Sequence, residues 1–180
     1  MRRNFQAQFR GHSDVPSGPI QIRRLLAADA ALYRDIRLEG LLRSPEAFSN
    51  TFEWENAQSL EWFAERLGNS DMFGAFHGAE IVGTAGILFA KGTKEAHKGT
   101  LVGMYVRPSS RKAGVGRKLI ETIIEFARPR IEIIELAVVS ENHEARRLYL
   151  SLAFVEYGLE KKSLKQDGRY YDEVLMAKEV

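Results

Sequence analysis

Cysteine is absent from the 180 residues. That excludes disulfides, thiolate zinc sites and a cysteine nucleophile, and it fits a cytoplasmic protein. The four histidines, His12, His77, His97 and His143, show no metal-ligand spacing, so no metal site is expected. No run approaches the roughly 18 apolar residues of a membrane span, and the N-terminal segment has no apolar signal core. An excess of one charge is also missing. Basic residues number 26 against 24 acidic ones, and Arg2, Arg3 and Arg10 against Asp14 hold the whole net charge of +2. The body is formally neutral, which argues against a broad nucleic-acid surface. Neither a nucleic-acid nor a membrane partner is expected.

What remains is ordinary globular composition, 44% hydrophobic and 28% charged, at a length that suits one domain with a real core. Residues 1–18 read as a flexible polar tail, because Gly11, Ser13, Pro16, Ser17 and Gly18 interrupt them. Residues 19–180 read as a single domain. The pattern predicts a strand at Ile20–Leu25 and a helix from Asp29 to about Leu42. A second start signal stands at Ser44-Pro45-Glu46, before a short aromatic stretch to Glu55. Another helix runs from Ser59 to Leu67 and stops at Gly68.

Strands follow at Met72–His77, Ile81–Ala90 and Thr100–Val106, the first two joined by a turn at Gly78-Ala79. Gly114–Arg128 is a strongly amphipathic helix stopped by Pro129. Ile131–Val139 is rich in β-branched residues, as a buried strand should be. A helix at Asn142–Leu152 precedes a closing strand pair, Phe154–Glu160 and Tyr171–Ala177, around Asp167-Gly168. Strands in mixed order with helices on both faces suggest a three-layer α/β or α+β domain.

Two constellations carry chemistry. In Arg111-x-x-Gly114-x-Gly116 the glycines permit positive φ and close approach at the positive end of a helix, which makes a seat for phosphates. Six residues alone fit equally a helix start that needs two glycines. There is no Lys-Ser/Thr pair after Gly116, so this is not a P-loop. The second constellation is Asn142 and Tyr149, seven apart and so on one face of a helix. Either residue alone reads as a cap or as core. Together, on the helix after the next strand, they place a phenol where it can act as a general acid.

The combined pattern is more specific than either half. Val106-x-Pro108-x-x-Arg111-x-x-Gly114-x-Gly116-x-x-Leu119, then Val139-x-x-Asn142-x-x-Ala145-x-x-Leu148-Tyr149-x-x-Leu152-Ala153-Phe154, resembles the GCN5-related N-acetyltransferase (GNAT) family over residues 20–178. Ala153 and Lys112 stand where the family usually has glycine. The resemblance implies a mostly antiparallel sheet of six to seven strands whose fourth and fifth strands splay apart to take acetyl-CoA. It implies that backbone groups of Met104, Tyr105 and Val106 pair with the pantetheine arm, and that the Met104 N–H polarises the thioester carbonyl. The stretch Arg111, Lys112, Ala113, Gly114, Val115, Gly116 and Arg117 would hold the pyrophosphate, with Asn142 and Arg146 as further cofactor contacts. Tyr149 would touch the cofactor and protonate the leaving thiolate.

On this reading the chain moves an acetyl group from acetyl-CoA to a primary amine of a small molecule, peptide or protein, by direct attack and without an acyl-enzyme. Phe48, Phe52, Trp54, Tyr170 and Tyr171 are candidate acceptor walls, and Glu39 or Glu53 can attract a cation. A general base is harder to find. Many family members carry a glutamate on the fourth strand, and Thr100 stands there, which leaves Glu53, Glu55 and Glu95 as candidates. That gap keeps a second reading open, an acyl-CoA-binding regulatory module with little catalysis. Pairing into a homodimer is expected through the C-terminal strands.

Overall fold

The computed structural model describes residues 18–180. The tail expected over residues 1–18 lies, apart from Gly18, outside them. Seven strands form one sheet: β1 (Ile20–Arg24), β2 (Asp71–His77), β3 (Glu80–Phe89), β4 (Lys98–Val106), β5 (Ile133–Val139), β6 (Val155–Gln166) and β7 (Arg169–Glu179). Their order in space is β1-β2-β3-β4-β5-β7-β6. All neighbours are antiparallel except β4 and β5, which run parallel. The helices are α1 (Ala30–Arg43), α2 (Phe52–Asn56), α3 (Leu60–Gly68), α4 (Val115–Ala127) and α5 (His143–Ser151).

Strand alternation feeds two cores, one on each face of the sheet. On β2, Met72 and Phe76 join Tyr33, Ile36 and Phe63 of α1 and α3, while Phe73 and Ala75 face α4 and α5. The α4 stripe of Val115, Leu119, Ile120, Ile123, Ile124 and Ala127 is at most 5% exposed. Burying each larger side chain contributes about 1.5–3 kcal/mol, so α4 is a main anchor of its layer. Its N-terminus, where the glycine loop lies, is thereby held fixed against the sheet.

The C-terminal hairpin is longer than expected. The strand expected to end at Glu160 continues to Gln166. Asp167 and Gly168 have φ of 49° and 83°, the pair of positive values a tight two-residue hairpin needs. Cross-strand pairs then carry the charges, with Lys161 Nζ 2.7 Å from Asp172 Oδ2. Strand β5 starts at Ile133 rather than Ile131, because Ile131 is used as core, close over Gly99.

The decisive feature lies between β4 and β5. They pair only at Lys98–Ile133, Gly99–Ile134 and Thr100–Glu135. Beyond that point β4 stays with β3 as far as Val106, and β5 stays with β7 as far as Val139. A bulge accompanies the parting: Thr84 pairs with Tyr105 and Gly86 with Val102, so Gly103 and Met104 together face Ala85. Gly103 has φ of 64°, the left-handed first position of a glycine bulge, which bends its strand.

Candidate active site

The loop from β4 to α4 is built from local rules. A 3-10 turn at Pro108–Ser110 leaves the strand, and Arg111 Nε donates to Val106 O at 3.0 Å. Lys112 and Gly114 then take φ of 63° and 78° before α4 begins. No side chain caps this helix, so its first N–H groups face outward at the positive end of the dipole.

The two glycines do different work. A Cβ at Gly114 would meet nothing within 4 Å, so φ and an open face are what the position needs. A Cβ at Gly116 would lie 2.9 Å from Met104 Cε and 3.1 Å from Leu148 Cδ2, so there glycine lets α4 close on β4 and α5.

Two adjoining clefts pass through the gap. The first, about 920 Å³, is lined by Arg111, Lys112 and Gly114 to Arg117 at the loop, with Met104, Tyr105 and Val106 on β4. The second, about 730 Å³, runs between Thr100–Met104 of β4 and Ala137–Val139 of β5, and Tyr149 lines it. Phe48, Met104, Val139 and Asn142 line both. Asn142 also caps α5, its Oδ1 accepting from Ala145 N–H at 3.1 Å. Tyr149 is 5% exposed and packs edge-on against Phe154 at 5.8 Å between ring centroids. Burial pushes its hydroxyl pKa well above the usual value for tyrosine. It serves as core and as cleft wall at once.

Two carboxylates near the clefts, Glu55 and Glu39, are buried and settle into pairs. Arg37 donates to both oxygens of Glu55, at 2.9 and 2.6 Å, and the two side chains are 5% and 0% exposed. Burial by itself would raise the Glu55 pKa, but the hydrogen bonds and charge of Arg37 outweigh it and hold the carboxyl below its usual range. Asn50 adds a bond at 3.0 Å. Glu39 accepts from the Tyr105 hydroxyl at 3.0 Å and from Arg107 at 2.9 Å. Burial first, then the Glu39 charge, pushes the Tyr105 hydroxyl up.

These placements correct several expectations. Glu55 is locked by Arg37 and is no candidate base, and Glu39 is a buried anchor rather than a lure for cations. Glu95 closes its own loop, accepting through its backbone carbonyl from Lys98 N–H, and lines neither cleft. Arg146 turns to Glu156 at 2.8 Å and to Ser140 O at 2.9 Å, and Arg147 lines the first cleft in its place. Ala113 lies within the loop without lining the cleft.

Of the acceptor candidates, Phe48 and Tyr171 line the clefts, whereas Phe52, Glu53, Trp54 and Tyr170 do not. Tyr170 is 49% exposed and carries Lys162 and Lys165 over its ring. Alternation on β7 explains this choice. Arg169, Tyr171 and Glu173 share the cleft face, so Tyr170 must point away. The sequence reading missed Trp62, Glu65, Arg66 and Glu173 in the second cleft. It also missed the Arg37–Glu55 pair, although an arginine inside the apolar stripe of α1 was a visible signal.

Residues 34–154 match the model of the acetyltransferase (GNAT) family. The chain belongs to the GNAT family. The fold agrees with solved relatives. A GNAT acetyltransferase from Streptococcus pneumoniae is 22% identical with a TM-score of 0.80, over 90% of this chain and 99% of its own. The ribosomal-protein-alanine N-acetyltransferase of Brucella melitensis is 25% identical with a TM-score of 0.78, over 89% and 99%. The yncA structure from Salmonella typhimurium, solved with its cofactor acetyl-CoA, is 22% identical with a TM-score of 0.74, over 90% and 94%. No curated protein matches the sequence.

GNAT proteins use acetyl-CoA, and the residues present suit it. An uncapped helix end with Arg111, Lys112 and Arg117 at the cleft answers its phosphates. The narrow gap between β4 and β5 answers its extended, amide-bearing arm.

Proposed function

We propose that this GNAT acetyltransferase moves the acetyl group to a primary amine by direct attack, with no acyl-enzyme. The observation that carries the reading is the parting of β4 and β5 after three residue pairs, with a phosphate seat at one end and Tyr149 on the wall. When bound, acetyl-CoA supplies an acetyl group activated as a thioester.

Lys112, Gly114, Val115, Gly116 and Arg117 hold the phosphates, helped by the Arg111 side chain. Met104, Tyr105 and Val106 offer the arm backbone groups that β5 has ceased to use. The Met104 N–H donates to the acetyl carbonyl oxygen, where negative charge develops. Asn142 stays beside the arm while capping α5. The Tyr149 hydroxyl donates to the departing sulfur. Phe48, Trp62 and Tyr171 shape the acceptor side. The Brucella neighbour is a ribosomal-protein-alanine N-acetyltransferase, which supports an amine acceptor and keeps peptide ends beside small amines as candidates.

The test is calorimetric titration with acetyl-CoA, followed by CoA-release assays over a panel of small amines, amino acids and peptides. Micromolar binding with release by one amine class is the expected result. Binding with no release from any amine would point instead to an acyl-CoA-binding module.

A further inference from the structure

An amine with a pKa of about 10.4 is almost wholly ammonium at pH 7, so the reaction needs a place for its proton. Strand β4 has no carboxylate at the cleft, and the sequence candidates are placed elsewhere or locked. We infer that Glu173 on β7 is the group that receives the acceptor's proton; this rests on the transferase reading above.

Three observations converge on Glu173. It lines the second cleft together with Tyr149, Met104 and Thr100. Its register partner on β5 is Val139, which lines both clefts and so marks the throat between them. Cross-strand partners project from the same face, so the carboxylate stands at that throat. The carboxylate is also positioned and unspent. Ser163 Oγ–H donates to Glu173 Oε2 at 2.6 Å, and among the described residues no cation lies within ion-pair distance. The other carboxylate of this cleft, Glu65, is exposed on α3. Glu55, Glu39 and Glu141 are each held by arginine.

The balance is R–NH3⁺ + acetyl–S–CoA → R–NH–acetyl + CoA–SH + H⁺. The N–C bond forms as the C–S bond breaks. Before that step one ammonium proton passes through the Glu173 carboxylate to water, which frees the lone pair that attacks; the nitrogen's second proton, made acidic by the acetyl group, leaves to solvent, from which the departing sulfur takes one back. The sulfur ends as the thiol.

The experiment compares wild type, Glu173→Gln and Glu173→Asp with the best amine of the panel, from pH 6 to 10. Expected for Glu173→Gln is a kcat at pH 7 lower by roughly 10²-fold or more. The deficit should shrink toward pH 10, where free amine is abundant, with acetyl-CoA affinity and melting temperature kept. Glu173→Asp should recover part of kcat. Ser163→Ala provides a second probe. Removing the bond that positions the carboxylate should lower kcat while KM and acetyl-CoA affinity stay unchanged. A raised KM with unchanged kcat in Glu173→Gln would overturn the inference in favour of ammonium binding alone. So would a deficit that stays constant across pH. A wild type that binds acetyl-CoA but acetylates nothing would overturn the transferase reading, and this inference with it.

Discussion

Replacing Tyr149 by phenylalanine isolates one hydroxyl. The ring is buried and meets Phe154 edge-on at 5.8 Å, and phenylalanine keeps that contact and that volume. A hydrogen bond to a charged group contributes about 1.5–3 kcal/mol, so losing the donor to the departing thiolate should lower kcat roughly 10- to 150-fold. Acetyl-CoA affinity should stay within about twofold. The form of the pH profile follows from burial. A thiolate of pKa about 8.5 faces a phenol whose usual value is about 10, and burial raises Tyr149 further. Complete proton transfer is therefore uphill by more than about 2 kcal/mol. In the proposed mechanism Tyr149 is therefore a hydrogen-bond donor that stays protonated, and the thiol takes its final proton from solvent. The wild type should show no falling alkaline limb from Tyr149 up to about pH 10. Stability follows the same sign: the raised folded pKa keeps its contribution intact below the unfolded value of about 10 and loses it as pH rises further. Steady-state kinetics from pH 6 to 10, with calorimetric acetyl-CoA titrations, decide the matter. Full activity in Tyr149→Phe at every pH would refute the role. An alkaline limb below pH 10 that disappears in the variant would show that burial does not control this phenol.

Glu55→Gln leaves the Arg37 charge buried without its partner, a loss of about 3–5 kcal/mol, read as a melting temperature lower by about 6–20 °C. The folded pKa of Glu55 is depressed, so its contribution is present above the unfolded value of about 4.5 and fades as pH falls below it. Thermal scans of wild type and variant should therefore converge in acid. Gly114→Glu sets a negative charge at the phosphate seat, at a φ of 78°, and calorimetry should detect no acetyl-CoA binding while the variant still folds. Gly103→Ala puts a Cβ at a φ of 64° and 3.2 Å from Met72 Cε. About 1–2 kcal/mol of strain should relax the bulge and displace Met104, lowering kcat more than it lowers melting temperature, as paired kinetic and thermal measurements will show.

The local geometry of the glycine loop and of α5 was readable because its causes are local. Positive φ at Gly114, the cap at Asn142 and the seven-residue step to Tyr149 follow from a few neighbouring residues. The acceptor half was not. Phe52, Glu53 and Tyr170 had suitable chemistry, but their helix face or strand parity turned them from the clefts. Glu173 went unnoticed because its importance comes from its register opposite Val139, thirty-four positions earlier in the chain.

The sequence by itself determined the strand and helix order, the stripe of α4, the glycine loop and the pattern that marks the family, since each is written in periodicity and turn chemistry over a few residues. Only the tertiary structure decided where β4 leaves β5, which carboxylates are spent on arginine, and which face of β7 looks into the gap. Those depend on pairings between distant segments, and a one-residue change of register would reverse every side chain on the strand.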